Sequence, residues 1–387
     1  MGESLSKKVF KKILDSIQTG KRKKYVKVSS AHLSGISYLN IGDAGLEFLE
    51  DLSRSGLRFN VKTTINPGCV DFDLQRECDS EIFDKQRRIV KSLKALGAVE
   101  SLTCTPYLFD NVIKKNQKVA WAESSAVLYA NSILGARTNK EGSLTALSSA
   151  ILGYTAGIGI HLKRGDKPEL LFEYLEKLDN ELDYGLLGYA MGLKAGVRIP
   201  YLSLKGNVKP CLPYLKQLLA SFGTSGGAPI IWIEGVTPGF SRIPKPKEKV
   251  VLSRDDLEEV KRMLSEENLS FKNGKTVFIT GCPHYSVEEI ENLCNALNNV
   301  RRLSTEIWVF TSRAAYSRVF EKGLVKTLER KNVRLFKDSC VMYCSLRGSN
   351  IQVITNSVKA AYYLKNSFRL RTVLKSLGEF VETHGVE

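Results

Sequence analysis

Beyond about residue 246 the chain alternates short apolar runs with amphipathic stretches. The runs "KTVFIT" (275–280), "EIWVFT" (306–311), "VRLFK" (333–337) and "IQVIT" (351–355) are short and rich in β-branched and aromatic residues, which marks them as strands. Between and after them, "SVEEIENLCNALNN", "RAAYSRVFEKGLVKTLER" and "NSVKAAYYLKNS" read as helices. "SRDDLEEVKRMLSEE" opens the series as a helix with Ser253 and Asp256 at N-cap spacing, and "FRLRTVLKSLGEFVE" closes the chain. Strands alternating with helices predict a parallel sheet with crossovers, hence a doubly wound α/β domain over 246–387. The stretch "TPGFSRIPKPKEKVVLS" (237–253), with three prolines and a basic run, marks the boundary.

The first part, 1–240, is less regular. "RFNVKTTINPGCVDFD" (58–73) reads as a strand running into an Asn-Pro-Gly turn, and "VESLT" (99–103) as a short strand. Apolar positions recur at helical spacing in "EIFDKQRRIVKSLKALGA" (81–98), and a helix is expected from about Gly42. "AESSAVLYANSIL" (122–134) predicts a buried helix followed by the polar turn "GARTNKEGS". "SLTALSSAILGYTAG" has the small, apolar composition of a packed interior helix.

In open α/β sheets, ligands gather beyond the carboxyl ends of the strands. Three cysteines fall at such ends: Cys104 after "VESLT", Cys282 after "KTVFITG" and Cys340 after "VRLFKDS". Asn356, Ser357 and Lys359 follow "IQVIT" to the same edge. Three converging thiolates can hold an iron–sulfur cluster with one iron left open. Three unrelated buried cysteines are the plain alternative, since free cysteine is among the most buried residue types. Cys294, inside a predicted helix, and Cys344 read as core. The eight cysteines are scattered and form no CxxC pair, which fits thiols in a reducing cytoplasm rather than disulfides.

Composition narrows the class. Of 387 residues, 43% are hydrophobic and 25% charged, the mix of a soluble globular protein. No uninterrupted apolar run reaches about 18 residues, so no membrane span is expected. The N-terminus has no apolar core of a secretory signal. The net charge of +16 suits a polyanion or a small anionic substrate. Its basic runs, "KRKK" at 21–24 and "KPKEK" at 245–249, belong to no recognisable nucleic-acid module with interleaved aromatics. A cytoplasmic protein without a nucleic-acid or membrane partner is expected.

The segments "SAHLSGISYLNIGDAGLEFLEDL", "TTINPGCVDFD", "SLTCTPYL", "AWAESSAVLYANSILGARTNKEGS", "EGVTPGF", "TGCPHYS" and "KDSCVMY" run in this order over nearly the whole chain. Together they resemble the large, catalytic subunit of the aconitase X family. The resemblance implies an aconitase-like α/β fold, several domains around a central iron–sulfur cluster, with residues 1–240 forming two interleaved subdomains. It implies a hydro-lyase whose 4Fe-4S cluster is held by Cys104, Cys282 and Cys340, the open iron acting as a Lewis acid. It also implies a partner, a small β-rich swivelling-domain subunit that supplies the catalytic serine. For the form of the family with separate subunits, the implied substrate is mevalonate 5-phosphate, dehydrated to trans-anhydromevalonate 5-phosphate in isoprenoid biosynthesis. The basic balance agrees with a phosphorylated substrate, and cis-3-hydroxy-L-proline is the runner-up. Two departures stand out: Gly239 and Phe240 replace the family's Glu-Ala, and "TNSVKAAYY" keeps Lys359 but lacks a histidine. Cys69 lies in a segment that varies in the family and is not counted as a ligand.

Within the matched segments, Glu123, Ser124 and His284 are the catalytic candidates. His32, Asn66, Ser125, Asn131, Arg137, Glu234 and Lys359 are candidates for binding substrate, Arg137 and Lys359 for its anionic groups. Each has a plainer alternative. A buried carboxylate such as Glu123 needs a partner and can serve a structural ion pair. An arginine in a polar turn is usually at the surface, and His32, His284 and Asn66 can equally fix turns. A basic nucleic-acid-binding protein would explain the charge but not the cysteines, and a structural metal protein would more often close its site with four ligands.

Overall fold

The computed structural model describes residues 5–163, 165–205, 210–266 and 274–386. Three parallel sheets organise them. In the first, Ser30–Leu33 lies between Lys62–Ile65 and Ala120–Trp121, with His32 level with Thr64 and Trp121. The second runs in the order Trp232–Ile233, Pro200–Leu204, Leu170–Tyr174, Lys249–Leu252. The third runs Val333–Phe336, Glu306–Thr311, Lys275–Tyr285, Ile351–Thr355, Thr372–Leu374. Counted along the chain, that last order is 3-2-1-4-5, the doubly wound pattern, with its switch point between the strands carrying Cys282 and Thr355.

The strands of the third sheet are apolar throughout because helices cover both faces. Successive residues of each strand point to opposite sides. Val277, Ile279, Trp308 and Phe310 enter one core, and Phe278, Ile307 and Val309 enter the other. The helices Val287–Ala296 and Val358–Phe368 lie where the sequence predicts them, while the single helix expected over 313–330 is broken at Gly323, φ 71°, into Arg313–Glu321 and Leu324–Arg330. Thr372–Leu374 is an additional edge strand, too short and too closely flanked by basic residues to stand out in the sequence.

Three expectations are corrected. Residues 249–264 belong with the second sheet, not the third. Lys249–Leu252 pairs with Leu170–Tyr174, and Leu257, Val260 and Leu264 of the following helix enter that sheet's core. A strand followed by a capped helix has the same local pattern whichever sheet accepts it, so the proline-rich segment did not mark the domain edge. No strand forms over 99–103: Val99 makes a single bridge to Thr64, and Leu102 turns to a φ of 40°, which ends the pairing. Finally, Cys78 and Cys344, 266 residues apart, form a disulfide with Cα atoms 5.9 Å apart, so the cysteines are not all thiols and Cys344 is not free. The contact joins two loops that only folding brings together.

Helices Glu181–Ala195 and Leu212–Ser225 pack closely because Gly188 meets the Leu218 backbone, where any Cβ would overlap the Leu218 carbonyl. Among the described residues no helix is long and apolar enough to cross a membrane.

Candidate active site

A cavity of about 510 Å³ opens where the carboxyl ends of the first and third sheets meet. Asn66 follows Ile65, and Glu123 lies just beyond Trp121, on the first side. Cys282, Cys340 and Lys359 come from the third sheet's side, and Cys104 from the turn before Pro106–Leu108. Cys282 lies inside the strand Lys275–Tyr285, at a register shift between Thr280 and Tyr285, so its side chain leaves the ladder toward the cavity.

Cys104 and Cys282 are buried and Cys340 is partly exposed. The His284 backbone N–H donates to Cys104 Sγ at 3.2 Å, and the Met342 N–H to Cys340 Sγ at 3.4 Å. Burial pushes all three thiols up, Cys340 to about 12. Lys359 pulls each of them part of the way back. Left alone, the three are protonated at neutral pH; a cationic centre among them is what would ionise them. Among the described residues no three His, Cys, Asp or Glu side chains stand close enough to hold a single metal ion. An all-thiolate donor set of this kind is the type that holds an iron–sulfur cluster.

Opposite the thiols lies a polar chain. Glu123 caps the helix Ser124–Ser132. Its Oε1 receives Lys359 Nζ at 2.5 Å and the Ser125 hydroxyl at 2.9 Å, and its Oε2 receives Asn66 Nδ2 at 2.8 Å. With its amide nitrogen committed to Glu123, Asn66 turns its oxygen to His32 Nε2 at 2.9 Å. That nitrogen therefore carries the proton, and His32 Nδ1 accepts from the Thr64 hydroxyl at 2.9 Å. Burial holds His32 down at about 4, so it is neutral. Burial alone would raise the Glu123 carboxyl, but Lys359, Asn66 and Ser125 hold it at about 2. Burial also opposes the charge on Lys359, yet Glu123 and Cys282 keep it above the ordinary lysine range.

The structure thus gathers Cys104, Cys282, Cys340, Asn66, Glu123, Ser124 and Lys359 on one cavity, with Ser125 and His32 directly behind Glu123 and Asn66. His284 is buried beneath the cysteines and does not line the cavity. Three candidates are not brought there. Asn131 is buried and latches to the carbonyls of Thr138 and Pro229. Arg137 pairs with Asp166 at 2.6 Å in a separate cleft beside His161. Glu234 bonds Ser203 and pairs with Lys245 at 2.6 Å. It does sit at a sheet's carboxyl edge, but at that of the second sheet, which does not line this cavity. Sequence reasoning missed Arg347, Ser34, Ser37 and Tyr363, which also line the cavity. Arg347 lies in a polar stretch, "SLRGSN", that looks like any surface turn.

Three family models match in succession: the aconitase X first domain over 2–164, second domain over 168–262 and third domain over 275–385. The second model takes in Lys249–Leu252, as the second sheet does. The chain is 36% identical over 344 residues to the phosphomevalonate dehydratase large subunit of Methanothermobacter thermautotrophicus, spanning 88% of this chain and 84% of that one. It is 33% identical to the protein of the same name from Thermococcus kodakarensis, spanning 88% and 86%. Cis-3-hydroxy-L-proline dehydratase of Pseudomonas aeruginosa is 31% identical over 357 residues, spanning 87% of this chain but 60% of that protein. The crystal structure of Thermococcus kodakaraensis aconitase X in its holo-form matches with a TM-score of 0.88 at 30% identity, over 99% of this chain and 100% of that one. With its three domains in order and its relatives dehydratases, the chain belongs to the aconitase X family.

Proposed function

We propose that this chain is the large subunit of a hydro-lyase that dehydrates mevalonate 5-phosphate to trans-anhydromevalonate 5-phosphate. One observation carries the reading: Cys104, Cys282 and Cys340 share a cavity with the Glu123–Lys359 ion pair. Identity and coverage are higher for the phosphomevalonate dehydratase large subunits than for the hydroxyproline dehydratase, which supports the phosphorylated substrate over the imino acid. A thiolate-held cluster needs a reducing compartment, and the cytoplasm is the proposed location, with the Cys78–Cys344 pair as the exception to the reduced cysteines expected there.

When bound by Cys104, Cys282 and Cys340, an iron–sulfur cluster with one iron free of protein thiolate supplies the Lewis acid that makes the substrate hydroxyl a better leaving group. The chain's own side chains bind and orient. Lys359, kept cationic by Glu123, offers its charge to the substrate carboxylate. Arg347 lines the same cavity with no carboxylate partner among the described residues, and it is the group proposed to take the phosphate. Asn66 is held in one orientation by His32 and Glu123, so it can hydrogen-bond substrate without reorganising. Ser124 lies on the same wall. A small β-rich partner subunit is proposed to close over the cavity and supply the serine that removes the carbon-bound proton.

The test is anaerobic reconstitution of the chain with iron and sulfide, followed by addition of the small subunit. The brown enzyme is expected to turn over mevalonate 5-phosphate with a kcat/KM roughly 100-fold above that for mevalonate, since each charge-assisted hydrogen bond contributes about 1.5–3 kcal/mol. Equal kcat/KM for the two mevalonates would overturn the phosphate assignment. Efficient turnover of cis-3-hydroxy-L-proline would favour the second substrate. A protein that retains no iron would remove the cluster from the mechanism.

A further inference from the structure

Cys104 and Cys340 come from two separate turns and Cys282 from the irregular end of the strand Lys275–Tyr285, so no helix or strand is common to the three. Something else must hold them in mutual register. His284 lies two residues after Cys282 and is fully buried. Its ring reaches both turns. Nε2 is 2.8 Å from the carbonyl oxygen of Ser339, the residue before Cys340. Nδ1 is 3.1 Å from the hydroxyl of Thr103, the residue before Cys104. The backbone N–H of His284 meets Cys104 Sγ itself.

The directions of these bonds follow from the partners. A carbonyl can only accept, so Nε2 carries the ring proton; Nδ1 is then bare and accepts from Thr103. The Thr103 oxygen in turn accepts the N–H of Thr105 at 3.1 Å. On the far side, Lys216 of the helix Leu212–Ser225 donates to the His284 carbonyl at 2.8 Å and forms a buried ion pair with Glu289. Glu289 also accepts the N–H of Ser286 at 2.8 Å, which closes the turn. Both ring nitrogens, the amide and the carbonyl of His284 are thereby committed, and none is aimed into the cavity.

We propose that His284 is a positioning residue and not a proton donor: its one imidazole ties the Cys104 and Cys340 turns to the strand that carries Cys282, and Lys216 fastens that knot to the second domain. The proposal rests on the reading of the three cysteines as cluster ligands. Ligand-orienting groups of this kind typically change metal affinity or activity by about 10–100-fold when removed.

The experiment compares the reconstituted wild type with His284→Gln, whose amide offers one donor and one acceptor, and with Thr103→Val, which deletes the bond to Nδ1 together with the local bonds to Thr105. Iron loss to a chelator, the electron paramagnetic resonance spectrum of the reduced cluster and the pH–rate profile with the small subunit are measured. Both variants are expected to release iron faster, His284→Gln by about tenfold or more, with altered spectra and unchanged limbs in the pH profile. If His284→Gln does not fold, Thr103→Val alone still decides the matter. Iron release and spectra like the wild type's would overturn the proposal, as would loss of one limb of the pH profile with iron retention intact. A wild type that binds no iron would sink the cluster reading, and this proposal with it; a stable wild-type cluster with indifferent variants sinks only this one.

Discussion

Lys359 reaches the cavity as a buried cation because Glu123 sits 2.5 Å from its ammonium. Breaking a buried pair by removing one charge costs about 3–5 kcal/mol. Glu123→Gln is expected to cost about 2–4 kcal/mol in urea denaturation, since the amide keeps the shape and part of the bonding. A loss below about 0.5 kcal/mol would mean that the pair is screened by solvent. Arg347 and Arg137 separate two readings of the phosphate. Arg347→Ala is expected to raise KM for mevalonate 5-phosphate by about 10–100-fold and barely alter that for mevalonate. Arg137→Ala, losing only its partner Asp166 in another cleft, is expected to leave the ratio of the two unchanged. The opposite result would return the phosphate to Arg137. At this scale the sequence was informative for residues with a chemical reason to sit at a strand end, such as Cys282 and Lys359. It was silent on Arg347, because an arginine in a polar turn carries no local sign of what it faces.

Along the strand Lys275–Tyr285, Gly281 is the point where regular pairing with Glu306–Thr311 breaks and Cys282 is delivered to the cavity. Its φ is 89°, and a Cβ there would overlap the Phe310 carbonyl oxygen. Gly281→Ala is therefore expected to cost more than about 3 kcal/mol through combined strain and overlap. Thermal unfolding should fall by several degrees and bound iron should drop with it; a melting curve like the wild type's would show that the strand can yield. The strand itself was legible from its apolar run, and so were its neighbours, because both faces are buried and the pattern admits no other arrangement. The segment 249–264 was misassigned for the converse reason. Its strand and its capped helix are locally complete, and the choice between two sheets depends on which open edge lies nearby.

Across the whole molecule, acid stability provides a readout that needs no substrate. Burial holds His32 at about 4, and burial together with Lys118 and Arg137 does the same for His161. In the unfolded chain both titrate near the ordinary value of about 6.5. The folded state thus binds fewer protons between these limits. Stability from this source is fully present above pH 6.5 and is lost as the pH falls from there through about 4. For the fully buried His32 the loss approaches about 3 kcal/mol. Denaturant titrations at falling pH are expected to show this slope, and His161→Gln to flatten part of it. Stability that stays level from neutral pH down to about 4.5 would mean that the two imidazoles protonate without cost.

What the sequence determined by itself is the part of this protein that local physics specifies. Apolar runs of strand length, alternating with capped helices, dictate the doubly wound sheet, and strand ends are where such a sheet can display Cys282, Cys340 and Lys359. Cys104 joined the same list through a strand expected at 99–103 that does not form, and motif order added Asn66 and Glu123. What only the tertiary structure decided is which of these groups meet. Asn66 and Glu123 are 57 residues apart, Lys359 and Glu123 are 236 apart, and Cys78 and Cys344 are 266 apart. The Lys359–Glu123 pair arises where two sheets turn their carboxyl edges toward each other, Asn66 meets Glu123 across one sheet, and the disulfide joins two loops; no periodicity along the chain encodes any of these approaches. For the same reason Glu234, at the edge of a sheet that does not line the cavity, resembled a site residue in sequence and is none of the cavity's lining in space.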